Sequence, residues 1–274
     1  MSKSIETLFI ESRTPKLAYD IRAGVGPVLL CVHGNSSHRG LWHPLLDHLS
    51  DYAAVRLDLR GHGESEWTRP PAYATADYAD DIKAAVETLG GREFVLIGHS
   101  NGALASLYFA THLEPKPKAL VYMDVHPRIL DEQVEYFRQR TAAVGRTFPA
   151  LNDVLKGMRQ VDHTVPDEAF LSFIEAGMRQ NDEGFQFALD PETYGSWRPA
   201  DMWEAVEKIS CPMLILRAQH STVMSRSAAE EMLRRNPNAW LKEINGTGHF
   251  LMLGRPAEVA SEIRCFLEDP SDHA

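Results

Sequence analysis

Cysteine is scarce in this sequence: three residues in 274, Cys31, Cys211 and Cys265, far apart and odd in number. That excludes a disulfide framework, and without a CxxC pair it excludes a thiolate zinc site. Embedded in apolar segments, the three read as buried free thiols in a reducing compartment. Positive charge is also short, with 28 Lys and Arg against 38 Asp and Glu and a formal net charge of -10. A field of that sign repels phosphate backbones, and no basic block reverses it locally, so nucleic acid is not an expected partner. Missing as well are any run of about 18 apolar residues and any apolar centre in the opening stretch "MSKSIETLFIESRTPK". The expectation is a cytoplasmic protein that does not engage a membrane. No nucleotide-binding glycine fingerprint appears, and His33, His38 and His43 in "HGNSSHRGLWH" have a spacing that fits no zinc pattern. Neither a cofactor nor a metal is expected.

What is present is an ordinary globular composition, 44% hydrophobic and 24% charged. Short apolar runs bounded by turn residues recur at 27–33, 53–59, 93–99, 118–124, 212–218 and 239–245. Runs of this kind fit strands of a sheet covered on both faces. Helix-like segments at 41–49, 75–89, 101–112, 226–235 and 256–267 lie between them, so the alternation is that of βαβ units and a mostly parallel sheet. Two earlier segments, "ETLFIES" and "KLAYDIR", suit an antiparallel hairpin at one edge.

The alternation stops after Asp124. From 127 to 209 the chain reads as helices without a clear core strand, which predicts a helical cap inserted after the sixth strand. Residues 1–126 and 210–274 then form the core, and the cap covers the carboxyl ends of the strands, where open α/β sheets bind ligands. The tail "EDPSDHA" is expected to fray.

The chemistry concentrates in "LIGHSNGALAS", where Ser100 sits between Gly98 and Gly102, directly after a strand and before a helix. A serine on so sharp a turn adopts strained backbone geometry, and glycines beside it let the strand and helix close up. The hydroxyl stands clear of the sheet. The N–H of Asn101, at the helix amino terminus, can hold a developing oxyanion.

In this arrangement the sequence resembles the α/β-hydrolase superfamily over almost its whole length, which implies an eight-stranded sheet with helices on both faces. The resemblance implies further roles. His33-Gly34 in "CVHGNSSHRGLW" is similar to the family's HG loop, so the N–H of Asn35 completes the oxyanion hole. The segment "RLDLRGHGES" resembles a structural turn, with Asp58 and Arg60 outside the site. His249 in "GTGHFLMLGRP", after the last strand, resembles the family's general base.

One position departs from the pattern. The family most often places its acid after the strand "MLILRA", yet no Asp or Glu occurs between Lys208 and Ala229, and Thr222 occupies the expected slot. Asp124, ending "ALVYMD" beside the elbow strand, is the alternative, as in some haloalkane dehalogenases, zearalenone-type lactonases and cofactor-free quinolone dioxygenases. A His-Ser dyad with no acid stays open at this point.

The expected activity is hydrolysis of a small-molecule carboxylic ester or lactone through an acyl-enzyme on Ser100. Rival readings use the same His-Asp pair for cofactor-free dioxygenation or C–C bond hydrolysis, and a non-catalytic receptor stands further off. For the substrate pocket the sequence offers Trp42, Met224, Phe250, Phe137, Phe173 and Trp197 as an apolar wall. It says nothing about oligomeric state.

Overall fold

The computed structural model describes residues 6–268; the frayed tail expected from "EDPSDHA" lies largely outside them. Eight strands form the central sheet: β1 Leu8–Ile10, β2 Leu17–Arg22, β3 Val25–Val32, β4 Tyr52–Leu57, β5 Phe94–His99, β6 Ala119–Met123, β7 Met213–Ala218 and β8 Ala239–Ile244. Their order across the sheet is β1-β2-β4-β3-β5-β6-β7-β8. Strands β3 to β8 run parallel, and β2 pairs antiparallel with both β1 and β4, so the predicted edge hairpin is present.

The apolar runs form this sheet because both of its faces are dry. Alternate residues along each strand enter two separate cores. Leu30, Val32, Leu96, Tyr122 and Ile215 pack on one side with helices α1 (Thr75–Glu87) and α2 (Asn101–His112). Leu29, Cys31, Ile97, Val121 and Leu216 pack on the other, with residues of helix α5 (Pro256–Glu268). Strand and helix boundaries fall within about two residues of those read from the sequence, because long apolar periodicity is a strong signal.

Asp58 and Arg60 brace the turn after β4. Asp58, fully buried, accepts from the N–H groups of Arg39 and Glu64, and Arg60 reaches the buried Asp81 of α1 through Nη2 at 2.7 Å. The cysteines differ from expectation: Cys31 is buried, with burial pushing its thiol up to about 12, whereas Cys211 is partly exposed and Cys265 exposed.

Between β6 and β7 the insertion carries helices α3 (Leu151–Val161) and α4 (Asp167–Ala176), plus shorter turns of helix. It is not purely helical. Thr147–Phe148, Gly184–Phe187 and Met178–Asn181 form a small antiparallel sheet, turned where Asn181 Oδ1 accepts from the Glu183 N–H at 2.9 Å and Gly184 takes φ +132°. Strands of two to four residues are too short to show periodicity. The insertion meets the core at the carboxyl ends of β3, β5 and β8 through pairs such as Trp197–Asn101, His38–Phe173 and Asp162–Phe250. Among the described residues, no helix is long and apolar enough to cross a membrane.

Candidate active site

Each candidate residue lies just past the carboxyl end of a strand: Asn35 after β3, Ser100 after β5, Asp124 after β6 and His249 after β8. This is the edge at which open parallel sheets present side chains to ligands. Among the described residues three non-glycines hold a left-handed backbone, Ser36 (φ +57°), Ser100 (φ +53°) and Asp124 (φ +51°). All three belong to this edge. Such conformations cost on the order of 1–3 kcal/mol and persist where surrounding contacts over-determine them.

At the elbow those contacts are explicit. Ser100 donates its N–H to Met123 O at 2.9 Å, and its carbonyl accepts from Ala103 N at 2.8 Å. The crossing of strand and helix leaves no room for side chains: a Cβ on Gly98 would meet Ala103 Cα at 2.6 Å, and one on Gly102 would meet His33 O at 2.3 Å. A Cβ on Gly34 would lie 2.7 Å from Ser100 Cβ, so the loop carrying Asn35 presses directly on the serine. The main-chain N–H groups of Asn35 and Asn101 have no acceptor among the described residues.

Asp124 is fully buried and accepts three hydrogen bonds: from Ala218 N at 3.0 Å, Ser221 Oγ at 2.9 Å and His249 Nδ1 at 2.9 Å. With its Nδ1–H donated to the carboxylate, His249 leaves the Nε2 lone pair free. The carbonyl of His249 accepts from His99 Nε2 at 2.9 Å, and the two rings lie 4.4 Å apart. Burial holds His99 neutral, its pKa well below the ordinary histidine value, with His249 beside it acting in the same sense. His99 therefore seats His249 next to the serine without competing for its proton. Ser100 Oγ stands 3.3 Å from where a Cβ on Gly34 would lie, and the hydroxyl makes no hydrogen bond to His249. Catalytic hydrogen bonds of this kind often tighten only in the complex with substrate.

The aromatic candidates divide. Trp197 donates Nε1–H to Asn101 Oδ1 at 3.0 Å, and Phe137 packs edge-on against Trp197 with centroids 5.2 Å apart. Phe250 lies against His249 and His99, with Phe173 next to it at 5.8 Å. Trp42 and Met224 are fully buried, Trp42 in the hydrophobic cluster that also holds Phe173 and Phe250, Met224 in the one that holds Trp197 and packs against Phe137. Their size and position fit a core role, which spacing alone could not separate from a pocket role.

Four neighbours were not singled out from sequence: His99, Ser221, Tyr194 and Asp162. Ser221 had a readable signal, as a hydroxyl one residue before the empty acid slot. Tyr194 and Asp162 come from the insertion, where only folding reveals the partner: Tyr194 OH hydrogen-bonds Ser36 Oγ, and Asp162 Oδ2 accepts from Phe250 N at 2.9 Å. Among the described residues, no cluster of three or more His, Cys, Asp or Glu side chains could hold a metal ion.

The sequence profile of the alpha/beta hydrolase family matches residues 29–262, which include every strand from β4 to β8 and all the candidate residues. The chain belongs to that family. This alpha/beta hydrolase is 28% identical over 251 residues to 2-(acetamidomethylene)succinate hydrolase of Mesorhizobium japonicum, covering 89% of each chain. It is 27% identical to esterase YbfF of Escherichia coli over 240 residues, 81% of this chain and 85% of the esterase. The crystal structure of E-2-(acetamidomethylene)succinate hydrolase superposes with a TM-score of 0.87 at 25% identity, over 97% of this chain and 100% of that one. The similar proteins are hydrolases and esterases, and this alpha/beta hydrolase is accordingly an enzyme of that broad kind.

Proposed function

We propose that the enzyme hydrolyses a small-molecule carboxylic ester or lactone through an acyl-enzyme on Ser100. The observation that carries this reading is the Asp124–His249 pair at 2.9 Å, at the same sheet edge as the strained Ser100. Asp124 orients His249 and stabilises its positive charge. His249 Nε2 takes the Ser100 proton as Oγ attacks the carbonyl carbon, and the oxyanion settles between the Asn35 and Asn101 N–H groups. Collapse expels the alkoxide, which leaves as the alcohol with the proton from His249. Water, deprotonated by the same imidazole, then releases the acid. The similarity to an esterase and to a hydrolase of an acetamidomethylene-substituted succinate supports acyl transfer at a carbonyl. The insertion acts as a cap, with Phe137, Trp197, Phe173 and Phe250 forming the apolar side of the pocket.

The test is Ser100→Ala assayed on a panel of aryl esters and lactones. Turnover should fall by on the order of a million-fold, and a fluorophosphonate should label the parent at Ser100 and not the variant. Intact ester hydrolysis in Ser100→Ala would reject the assignment.

A second reading has one observation in its favour, the missing hydrogen bond between Ser100 and His249. An assembled His-Asp pair beside a disengaged serine suits direct proton abstraction from a substrate, as in cofactor-free dioxygenation, or C–C bond hydrolysis. Oxygen uptake that survives Ser100→Ala would select the first of these.

A further inference from the structure

The two main-chain N–H groups proposed for the oxyanion hole belong to segments far apart in sequence, and one short piece of the insertion touches both. Tyr194 OH hydrogen-bonds Ser36 Oγ, the residue after Asn35, and Trp197 Nε1 donates to Asn101 Oδ1 at 3.0 Å. Phe137 packs edge-on to both rings, with centroids 5.2 Å from each, and so fixes their separation. The piece is anchored behind. Fully buried Asp190 accepts from Tyr73 OH at 2.6 Å and Arg69 Nη1 at 2.5 Å, its N–H donates to Gly61 O at 2.7 Å, and Trp197 pairs in register with Tyr73.

We infer that residues 190–198 form a brace that sets the oxyanion hole, Tyr194 positioning the Asn35 N–H through Ser36 and Trp197 positioning the Asn101 N–H through its own side chain. The argument is mechanical. Ser36 holds a left-handed backbone that a non-glycine leaves unless something retains it, and its hydroxyl bond to Tyr194 is that retention. Asn101 opens a helix, and its buried amide nitrogen has no partner, so the indole bond alone fixes the tip of its side chain. Donors displaced by a fraction of an ångström lose most of their advantage for the transition state over the ground state. The brace thus makes closure of the cap a condition for full oxyanion stabilisation. This inference rests on the acyl-enzyme reading above.

The test uses Tyr194→Phe, Trp197→Phe and Ser36→Ala in the full chain, with p-nitrophenyl acetate as substrate. Phenylboronic acid, which adds to a serine hydroxyl as a tetrahedral anion, probes the hole directly. Each variant should lose about tenfold to a hundredfold in kcat with KM within about threefold, and the boronate Kd should rise by a matching factor. Ser36→Ala combined with Tyr194→Phe should be no worse than the poorer single variant, since both remove one bond. A merely structural role would lower activity in step with the folded fraction and leave boronate affinity per folded molecule unchanged, which would overturn the brace. So would unchanged kcat in all three variants of an enzyme that Ser100→Ala silences. Activity surviving Ser100→Ala would instead remove the underlying reading, and the brace with it.

Discussion

Asp124 turns off the end of β6 with a left-handed backbone, φ +51°, and that turn sets its Oδ2 2.9 Å from Nδ1 of His249, 125 positions later in the chain. The aspartate's other hydrogen bonds come from Ala218, the last residue of β7, and from Ser221, in the following loop where the sequence offers no carboxylate. The end of β7 and the loop after it thus supply donors that steady an acid from the neighbouring strand. Asp124→Asn preserves the shape and removes the charge. Turnover should fall by about ten-thousand-fold, because an amide donates as readily as it accepts and no longer enforces the productive tautomer. The check is kcat on an aryl ester with circular dichroism confirming the fold; a value within about tenfold of the parent would make the pair structural.

Gly34 offers a test at the other side of the serine. A methyl group there would stand 2.7 Å from Ser100 Cβ and 3.3 Å from its Oγ, inside contact distance of both. Neither the elbow nor the loop can yield far, since Gly102 is equally close-packed against His33 O. Gly34→Ala should cost about 1–3 kcal/mol of stability and about a hundredfold in kcat. Steady-state kinetics and thermal unfolding measured on one preparation decide it, and parental kinetics would contradict the close approach.

Buried histidines predict the acid behaviour. Burial pushes His33 and His62 down from 6.5 to about 3, outweighing the hydrogen bonds to backbone carbonyls that act the other way. For His33 geometry agrees, because its Nε2 accepts from Leu59 N at 3.1 Å and cannot do so when protonated. In the unfolded chain both imidazoles take up protons below 6.5, whereas in the folded one they resist until about 3. Their contribution is therefore complete above the upper value and is lost as pH falls toward the lower one. Between about pH 7 and about pH 5 the two together should remove about 4 kcal/mol of unfolding free energy. Urea unfolding at the two pH values measures this directly, and equal midpoints would contradict neutral burial.

The sheet was legible in the sequence because its strands are continuous apolar runs separated by helices of regular period, and because a serine between glycines marks a strand-to-helix elbow. Ser100, His249 and Asp124 could be singled out as candidates since each ends or follows such a run. The small sheet of the insertion was not legible: residues 178–187 are mostly polar and pair only with each other and with two residues of a neighbouring strand. Trp42 and Met224 show the converse ambiguity. A large apolar residue next to a catalytic loop serves a core and a pocket equally well in sequence, and only its three-dimensional neighbours separate the two. The contacts from Tyr194 and Asp162 span separations of 158 and 88 residues, and no local pattern encodes a pairing at that distance.

Asp162 carries the last prediction. This carboxylate, 2% exposed, accepts from Phe250 N through Oδ2 and from Thr164 N and Oγ1 through Oδ1, while Thr164 Oγ1 accepts from Gly248 N at 2.8 Å. The N–H groups on either side of His249 are thereby held by one turn of the insertion, and Gly248 is a glycine because a Cβ there would fall 2.4 Å from Asp162 Oδ1. Asp162→Ala leaves the Phe250 N–H without an acceptor in a dry setting, at a cost of about 1–3 kcal/mol. It also frees the imidazole to swing away from Asp124, so kcat should drop by about tenfold to a hundredfold per folded molecule with KM little changed. Asp162→Asn, which keeps one carbonyl oxygen for the Phe250 N–H, should recover most of the kcat. Loss of activity that merely tracked the unfolded fraction in both variants would mean that His249 is held by Asp124 and His99 alone.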